Sequence, residues 1–140
     1  MSTFPIQHWL IRSPYQHRTW DDVLMRNLFR LQGIRNREAS KNIGQMRARD
    51  QALYYNNIGE RALYGILEIS KAPYPDPTAN EAKWMAVDAT PIQTFQPPIT
   101  LESLKTINAL ADSPLLNRPR LSVAKIEIAT FEMILQQLKE

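Results

Sequence analysis

"QALYYNNIGERALYGILEIS", residues 51–70, decides the architecture. Two runs rich in aromatic and branched residues, 51–57 and 62–70, flank the turn signal "NIGER", which predicts an antiparallel hairpin. Tyr54 and Tyr55 are neighbours on the first strand, so they face opposite sides and at most one lines a given pocket. "KWMAVDAT" (83–90) reads as a third strand of the same meander. Between them "KAPYPDPT" (71–78) holds three prolines within five residues and is expected to be a rigid loop, with Asp76 as a turn residue. "PIQTFQPPIT" (91–100) is expected to be a second proline-rich connector.

N-terminal to the hairpin, "HWLIR" (8–12) predicts a short strand ended by Ser13 and Pro14. "TWDDVLMRNLF" (19–29) predicts a helix capped by Thr19, with Asp21 and Asp22 in its first turn and Trp20, Val23, Leu24 and Leu28 on one face. A second helix is expected over 36–47 with Asn36 as cap; Ala39, Ile43 and Met46 fall inward, and Arg37 and Lys41 outward. C-terminal to the meander, Thr100 caps an expected helix over 100–110 with Leu101, Leu104 and Ile107 inward. "RLSVAKI" (120–126) reads as a last strand and 128–140 as a last helix. The order β-α-α-β-β-β-α-β-α predicts an α+β class, a small mixed β-barrel flanked by helices and formed by one domain over residues 1–140.

A chain of 140 residues buries roughly 70% of its unfolded surface, enough for a core without staples. It has no cysteine, which excludes disulfides and thiolate metal sites, and its two histidines, His8 and His17, offer little for zinc. No metal and no cofactor are expected. There is no apolar run near the ~18 residues a membrane span needs. The N-terminus lacks a basic segment followed by a long apolar one. These features predict a soluble cytoplasmic protein with no membrane partner.

Charge is distributed unevenly. Residues 1–50 carry nine Lys/Arg against four Asp/Glu, whereas 51–140 carry eight against ten. Six of the seven basic residues within 26–49 are arginines, suited to bidentate phosphate contact. Together with aromatics on predicted strands, this points to nucleic acid. Gly33 starts no phosphate-binding loop, because no further glycines follow at the required spacing. Asp21 and Asp22 are explained by helix capping, and His8 by packing on its strand, so no enzymatic constellation stands out.

The segments "HWLIRSP", "TWDDV", "GIRNREASKNIGQM", "YYNN", "GILEISKAPYPDPT", "WMAVDATPI", "PPITLESLK" and "RPRLSV" resemble, in order and spacing, those of the EVE domain family over about residues 8–135. That family is similar to thymocyte nuclear protein and more distantly to YTH domains. The resemblance implies a PUA-like fold and a non-catalytic reader of a modified base in DNA or RNA. By motif, Arg12 and Ser13 match the family's Lys-Ser, and Gly33, Ile34, Arg35 and Asn36 its Gly-Val-Arg-Asn. Tyr54 and Tyr55 match its Phe-Tyr, and Arg120, Leu121 and Ser122 its Arg-Leu-Ser. The implied base pocket comprises Arg12, Ser13, Leu31, Gln32, Gly33, Ile34, Asn36, Tyr55 and Ser122. The implied phosphate surface comprises Arg35, Arg37, Lys41 and Arg120.

Several positions depart from the family pattern. Leu31 and Gln32 stand where tryptophan and Asp or Thr are usual, and a leucine forgoes ring stacking worth about 1–3 kcal/mol per base. Pro14 and Tyr15 replace Glu-Pro, with Tyr15 a candidate substitute aromatic; Asn56 and Asn57 replace His-Ser. Arg49 stands at the glycine of a usual Gly-Asp turn. Two rival functions follow: an amidohydrolase-like enzyme on modified nucleosides, which would need a pocket carboxylate or lysine, and a protein-interaction module with a degenerate pocket.

Overall fold

The computed structural model describes residues 5–13, 19–57 and 59–139; Pro14, Tyr15 and His17 lie outside them. In chain order the elements are β1 (His8–Arg12), α1 (Trp20–Arg26), β2 (Phe29–Leu31), α2 (Arg37–Gly44), β3 (Gln51–Asn56), β4 (Ala62–Pro75), β5 (Met85–Thr100), α3 (Leu101–Lys105), α4 (Pro114–Asn117), β6 (Val123–Ile126) and α5 (Ile128–Gln136). Six strands form one sheet in the order β2-β5-β4-β3-β1-β6. The 51–90 region is the expected antiparallel meander, whereas β1 inserts parallel to β3, Leu10 opposite Leu53, and antiparallel to β6. Because β1 has neighbours on both sides, His8 through Ile11 are all buried. His8 packs on Phe131 of α5 with ring centroids 4.3 Å apart.

All three expected cap residues act as caps. Thr19 accepts from the Asp22 N–H and closes a capping box, Asn36 accepts from the Ala39 N–H, and Thr100 from the Ser103 N–H. Ala39, Ile43 and Met46 are buried as their spacing predicts. The indole of Trp20 lies on Gly65, where a Cβ would collide with Trp20 Cζ2 and the Gln93 carbonyl, and its Nε1–H donates to Thr94 Oγ1 at 2.9 Å. Trp20 and Phe29 both pack on Tyr54, which is fully buried, while Tyr55 on the other face is half-buried.

Three expectations are corrected. α1 stops at Arg26, because Asn27 takes a left-handed C-cap conformation (φ 51°) and the chain turns into β2. Within α1, Trp20 and Val23 form the inner face, and Leu24 is 42% exposed instead of sharing it. The proline-rich stretches 71–75 and 91–100 are strand. Beyond Glu68, β4 pairs only with β5, and beyond Ala89, β5 pairs only with β4. Each strand there has one side without a ladder to complete, the condition under which proline fits a strand. Pro97 and Pro98 sit where the register jumps between Leu63–Ile99 and Gly65–Thr94. Finally, the helix expected over 100–110 ends at Lys105 and continues as a short 3₁₀ turn, Asn108–Leu110.

α2 bridges the two sides of this sheet. Asn42 Nδ2 donates to the Val123 carbonyl of edge strand β6 at 2.8 Å, and Ser40 Oγ accepts from Met85 N–H at the start of β5 at 3.2 Å. At the C-terminal side of α2, the buried Asp50 carboxylate accepts four hydrogen bonds: from Gln7 N, Gln7 Nε2, Trp9 Nε1 and Arg47 N, all at 2.9–3.0 Å. It ties the entry of β1 to the exit of α2. Arg49 beside it adopts φ 79°, a conformation that favours the family's glycine.

Candidate functional site

The segment Gln32–Asn36 joins β2 to α2 and forms a rim, since Asn36 at its end borders a cavity; a second buried carboxylate holds it. Asp76 Oδ2 accepts from Gly33 N at 2.7 Å and Arg35 Nη1 at 3.0 Å; Oδ1 accepts from Thr78 N at 2.8 Å and Thr78 Oγ1 at 2.6 Å. Arg35 Nη2 donates to Thr78 Oγ1 at 3.0 Å. Burial alone would push the Asp76 carboxyl up, but the hydrogen bonds from Thr78, Gly33 and Arg35 outweigh it and bring it down to about 2. Gly33 has φ 79°, so the rim needs a glycine at the point where its N–H meets Asp76. Asp76, read from sequence as a turn residue, thus fixes the rim; its bracketing prolines were the available signal, but the partners 41–43 residues away were not visible.

Arg12 turns inward. Its Nη1 donates to the carbonyls of Arg118 (3.0 Å) and Leu121 (2.7 Å), and its Nη2 to those of Pro114 (3.4 Å) and Leu115 (2.5 Å). Burial depresses its guanidinium pKa, with the Tyr55 ring 5.6 Å away. Arg12 therefore organises the 114–121 segment from behind. The next residue, Ser13, is buried; its N–H donates to the Tyr55 carbonyl at 3.3 Å, and its Oγ has no hydrogen-bond partner among the described residues.

In front of this framework lies a cavity of about 260 Å³ lined by Asn36, Asn117, Arg118, Pro119, Arg120 and Leu121. Arg118 pairs with Glu38 of α2 at 2.6 Å, holding the 114–121 segment to the helix. Asn36 and Arg120 are exposed at this cavity, and Ser122 is half-buried behind it, its carbonyl accepting from Arg12 N at 2.8 Å. Leu31, opposite Val87, and Ile34 are buried in the core. Gln32 opens instead onto a separate cavity of about 270 Å³ with Phe29 and Arg30. Arg37 and Lys41 are exposed along α2, on a third cavity. The structure thus brings Asn36 and Arg120 together, with Arg12 and Ser122 as support, and places Gln32, Arg37 and Lys41 elsewhere. Sequence reasoning missed Arg118, which lines the cavity and is visible only as one arginine of "RPRLSV". Among the described residues no group of three or more His, Asp or Glu side chains could hold a metal, and no helix is long and apolar enough to cross a membrane.

Comparison with known proteins agrees with this architecture. A family model described as EVE domain matches residues 7–137. Mouse thymocyte nuclear protein 1 is 28% identical over 145 aligned positions, covering 87% of this chain and 59% of that protein; the chain spans less than two thirds of its curated relative. The NMR structure of Rpa0253 from Rhodopseudomonas palustris has a TM-score of 0.86 and 30% identity, over 92% of this chain and 90% of that one. The structure of human THYN1 protein in complex with DNA containing 5-methylcytosine has a TM-score of 0.85 at 23% identity, over 96% and 98% of the two chains. The fold extends to the YTH domain of Zygosaccharomyces rouxii MRB1, in complex with N6-methyladenosine RNA, with a TM-score of 0.62 and 17% identity over 96% and 87%. The chain belongs to the EVE domain family, and its fold is the PUA-like one these structures share.

Proposed function

We propose that this EVE domain is a non-catalytic nucleic-acid-binding protein that recognises a modified base, with the cavity between Asn36 and Arg120 as the base site. The observation that carries the reading is that cavity: two arginines and two asparagine amides border a space below the ~300–1,000 Å³ of drug-sized ligand sites, the scale of one base. Behind it, Arg12 fixes the backbone that forms the wall, and Asp76 fixes the rim on the other side. Arginine and amide donors suit phosphate and base edges. Among the described residues the lining includes no carboxylate or histidine to serve as acid or base, and the nearby Glu38 is engaged by Arg118, which supports binding over chemistry. The DNA-bound human relative and the RNA-bound YTH domain support the same reading. The exposed Arg37, Lys41 and Arg120 contribute phosphate contacts, while Arg35 acts chiefly on the rim. The domain, taken as residues 1–140, would act in the cytoplasm.

The test is binding to matched DNA and RNA oligonucleotides, with and without 5-methylcytosine or N6-methyladenine, single- and double-stranded, at fixed salt. A preference for one modified member supports the reading. Equal affinity across all of them, or none for any, overturns it.

A further inference from the structure

We infer that Trp84 is a stacking platform for a second nucleotide, flanking the base that the proposed pocket reads; this rests on the function proposed above and adds a site to it. Trp84 is the half-buried tryptophan among the three, since Trp9 and Trp20 are core residues with 0% and 5% exposure. Its ring borders an open groove of about 310 Å³ whose other wall is the outer face of α2, with Arg37 and Lys41, and whose end carries Lys83. All three cations are exposed. Lys83 Nζ lies 5.0 Å from the Trp84 ring and pairs loosely with the exposed Glu81 at 3.4 Å, so a base can displace it. The Arg35 guanidinium, 5.8 Å from the same ring, cannot move so freely, because Asp76 and Thr78 hold it. Arg35 is therefore a fixed neighbour of the ring, and Lys83 a displaceable one.

The ring is also placed with respect to the rim. The Asp76 N–H donates to the Trp84 carbonyl at 2.8 Å, while the Asp76 carboxylate holds Gly33 and Arg35. One residue thus sets the spacing between the segment leading into the base cavity and the aromatic shelf. Ser40 binds Met85 N–H and fixes the start of β5 against α2, so the groove walls are fixed to each other as well. An aromatic face between cations matches a nucleotide: the base stacks, and its phosphate meets Arg37 and Lys41. An ordinary solvated helix face would need no aromatic on the opposite wall.

The probe is an unmodified, fluorescein-labelled single-stranded dodecamer, as DNA and as RNA, alongside the best modified oligonucleotide from the panel. Trp84→Ala is expected to lower affinity about tenfold for both modified and unmodified strands, leaving their ratio unchanged. Trp84→Phe, which keeps a ring, is expected to retain most of the affinity. Intrinsic tryptophan emission of the wild type should be quenched on titration with unlabelled strand, and that quenching should vanish in Trp84→Phe, where only the two core tryptophans remain. Lys83→Ala should shift the salt dependence without abolishing the quenching. Wild-type binding that Trp84→Ala leaves unchanged, or a Trp84→Ala effect confined to the modified strand, overturns the platform while the base-reading function stands. Binding with equal affinity to modified and unmodified strands but still quenched through Trp84 overturns base reading and leaves the platform. No binding to any strand overturns both.

Discussion

Asp50 and Asp76 are two buried carboxylates, each accepting four hydrogen bonds, at opposite ends of helix α2 and its approach. Their donors differ. Asp50 gathers backbone, amide and indole N–H groups from β1 and the exit of α2, and so welds the framework. Asp76 gathers a glycine N–H, a threonine and a half-exposed arginine, and so welds the rim to the proline-rich hairpin. The same side chain in the same number of bonds serves the fold in one place and the presentation of a surface in the other. What separates them is what the donors belong to: a core tryptophan and the chain before β1 at Asp50, the segment entering α2 at Asp76.

The comparison is sharpest when Asp50 is removed. Asp50→Ala leaves the Trp9 indole N–H and the Gln7 and Arg47 backbone donors without their acceptor, and should cost about 3 kcal/mol in urea unfolding. If the loss is below about 1 kcal/mol, water replaces the carboxylate and the framework does not depend on it. Next comes acid. A folded-state carboxyl held at about 2, below the usual 3.8, contributes stability that is present above the unfolded value and lost as pH falls from about 4 toward 2. The expected loss is about 2 kcal/mol in urea unfolding between pH 5 and pH 2, and Asp76→Asn should remove that part of the pH dependence. A variant with the same acid slope as the wild type would show that other groups carry it.

Smaller effects follow at the periphery. Arg35→Lys keeps the charge at Asp76 but loses the fork that also reaches Thr78, at about 1 kcal/mol; faster amide exchange at Gly33 would report the loosened rim. At the other carboxylate, Arg49→Gly should raise stability by about 0.5 kcal/mol, because relief of left-handed strain exceeds the entropy of the added glycine. The double variant Arg37→Ala, Lys41→Ala should leave stability within about 0.5 kcal/mol of wild type. Its measured consequence is on binding: the slope of log affinity against log salt should fall by about one unit for each phosphate-binding residue removed. An unchanged slope would remove both residues from the nucleic-acid surface.

The contrast between the two carboxylates also explains what could be read from sequence. Thr19, Asn36 and Thr100 act through bonds to residues three positions on, so caps were legible. The opposite facing of Tyr54 and Tyr55 on β3 and the inward face of α2 were legible for the same local reason. β2, three residues long, is too short to show a period, and the strand character of 91–100 depends on its pairing with residues 62–67 of β4. Both carboxylate hubs depend on donors up to 43 residues away. Arg12 reaches carbonyls 102–109 residues on, which turns a residue that resembles a ligand contact into a brace. For the proposed site the motif gave the neighbourhood, while the direction of each side chain came from tertiary contacts.

The bond from Asn42 of α2 to the sheet has a bearing on self-association. β6 is the last strand of the ladder, and edge carbonyls are templates on which a strand from another molecule can grow. By engaging the Val123 carbonyl with its side-chain amide, Asn42 occupies one such template position. The helix that carries the exposed Arg37 and Lys41 thus also covers one carbonyl of this edge.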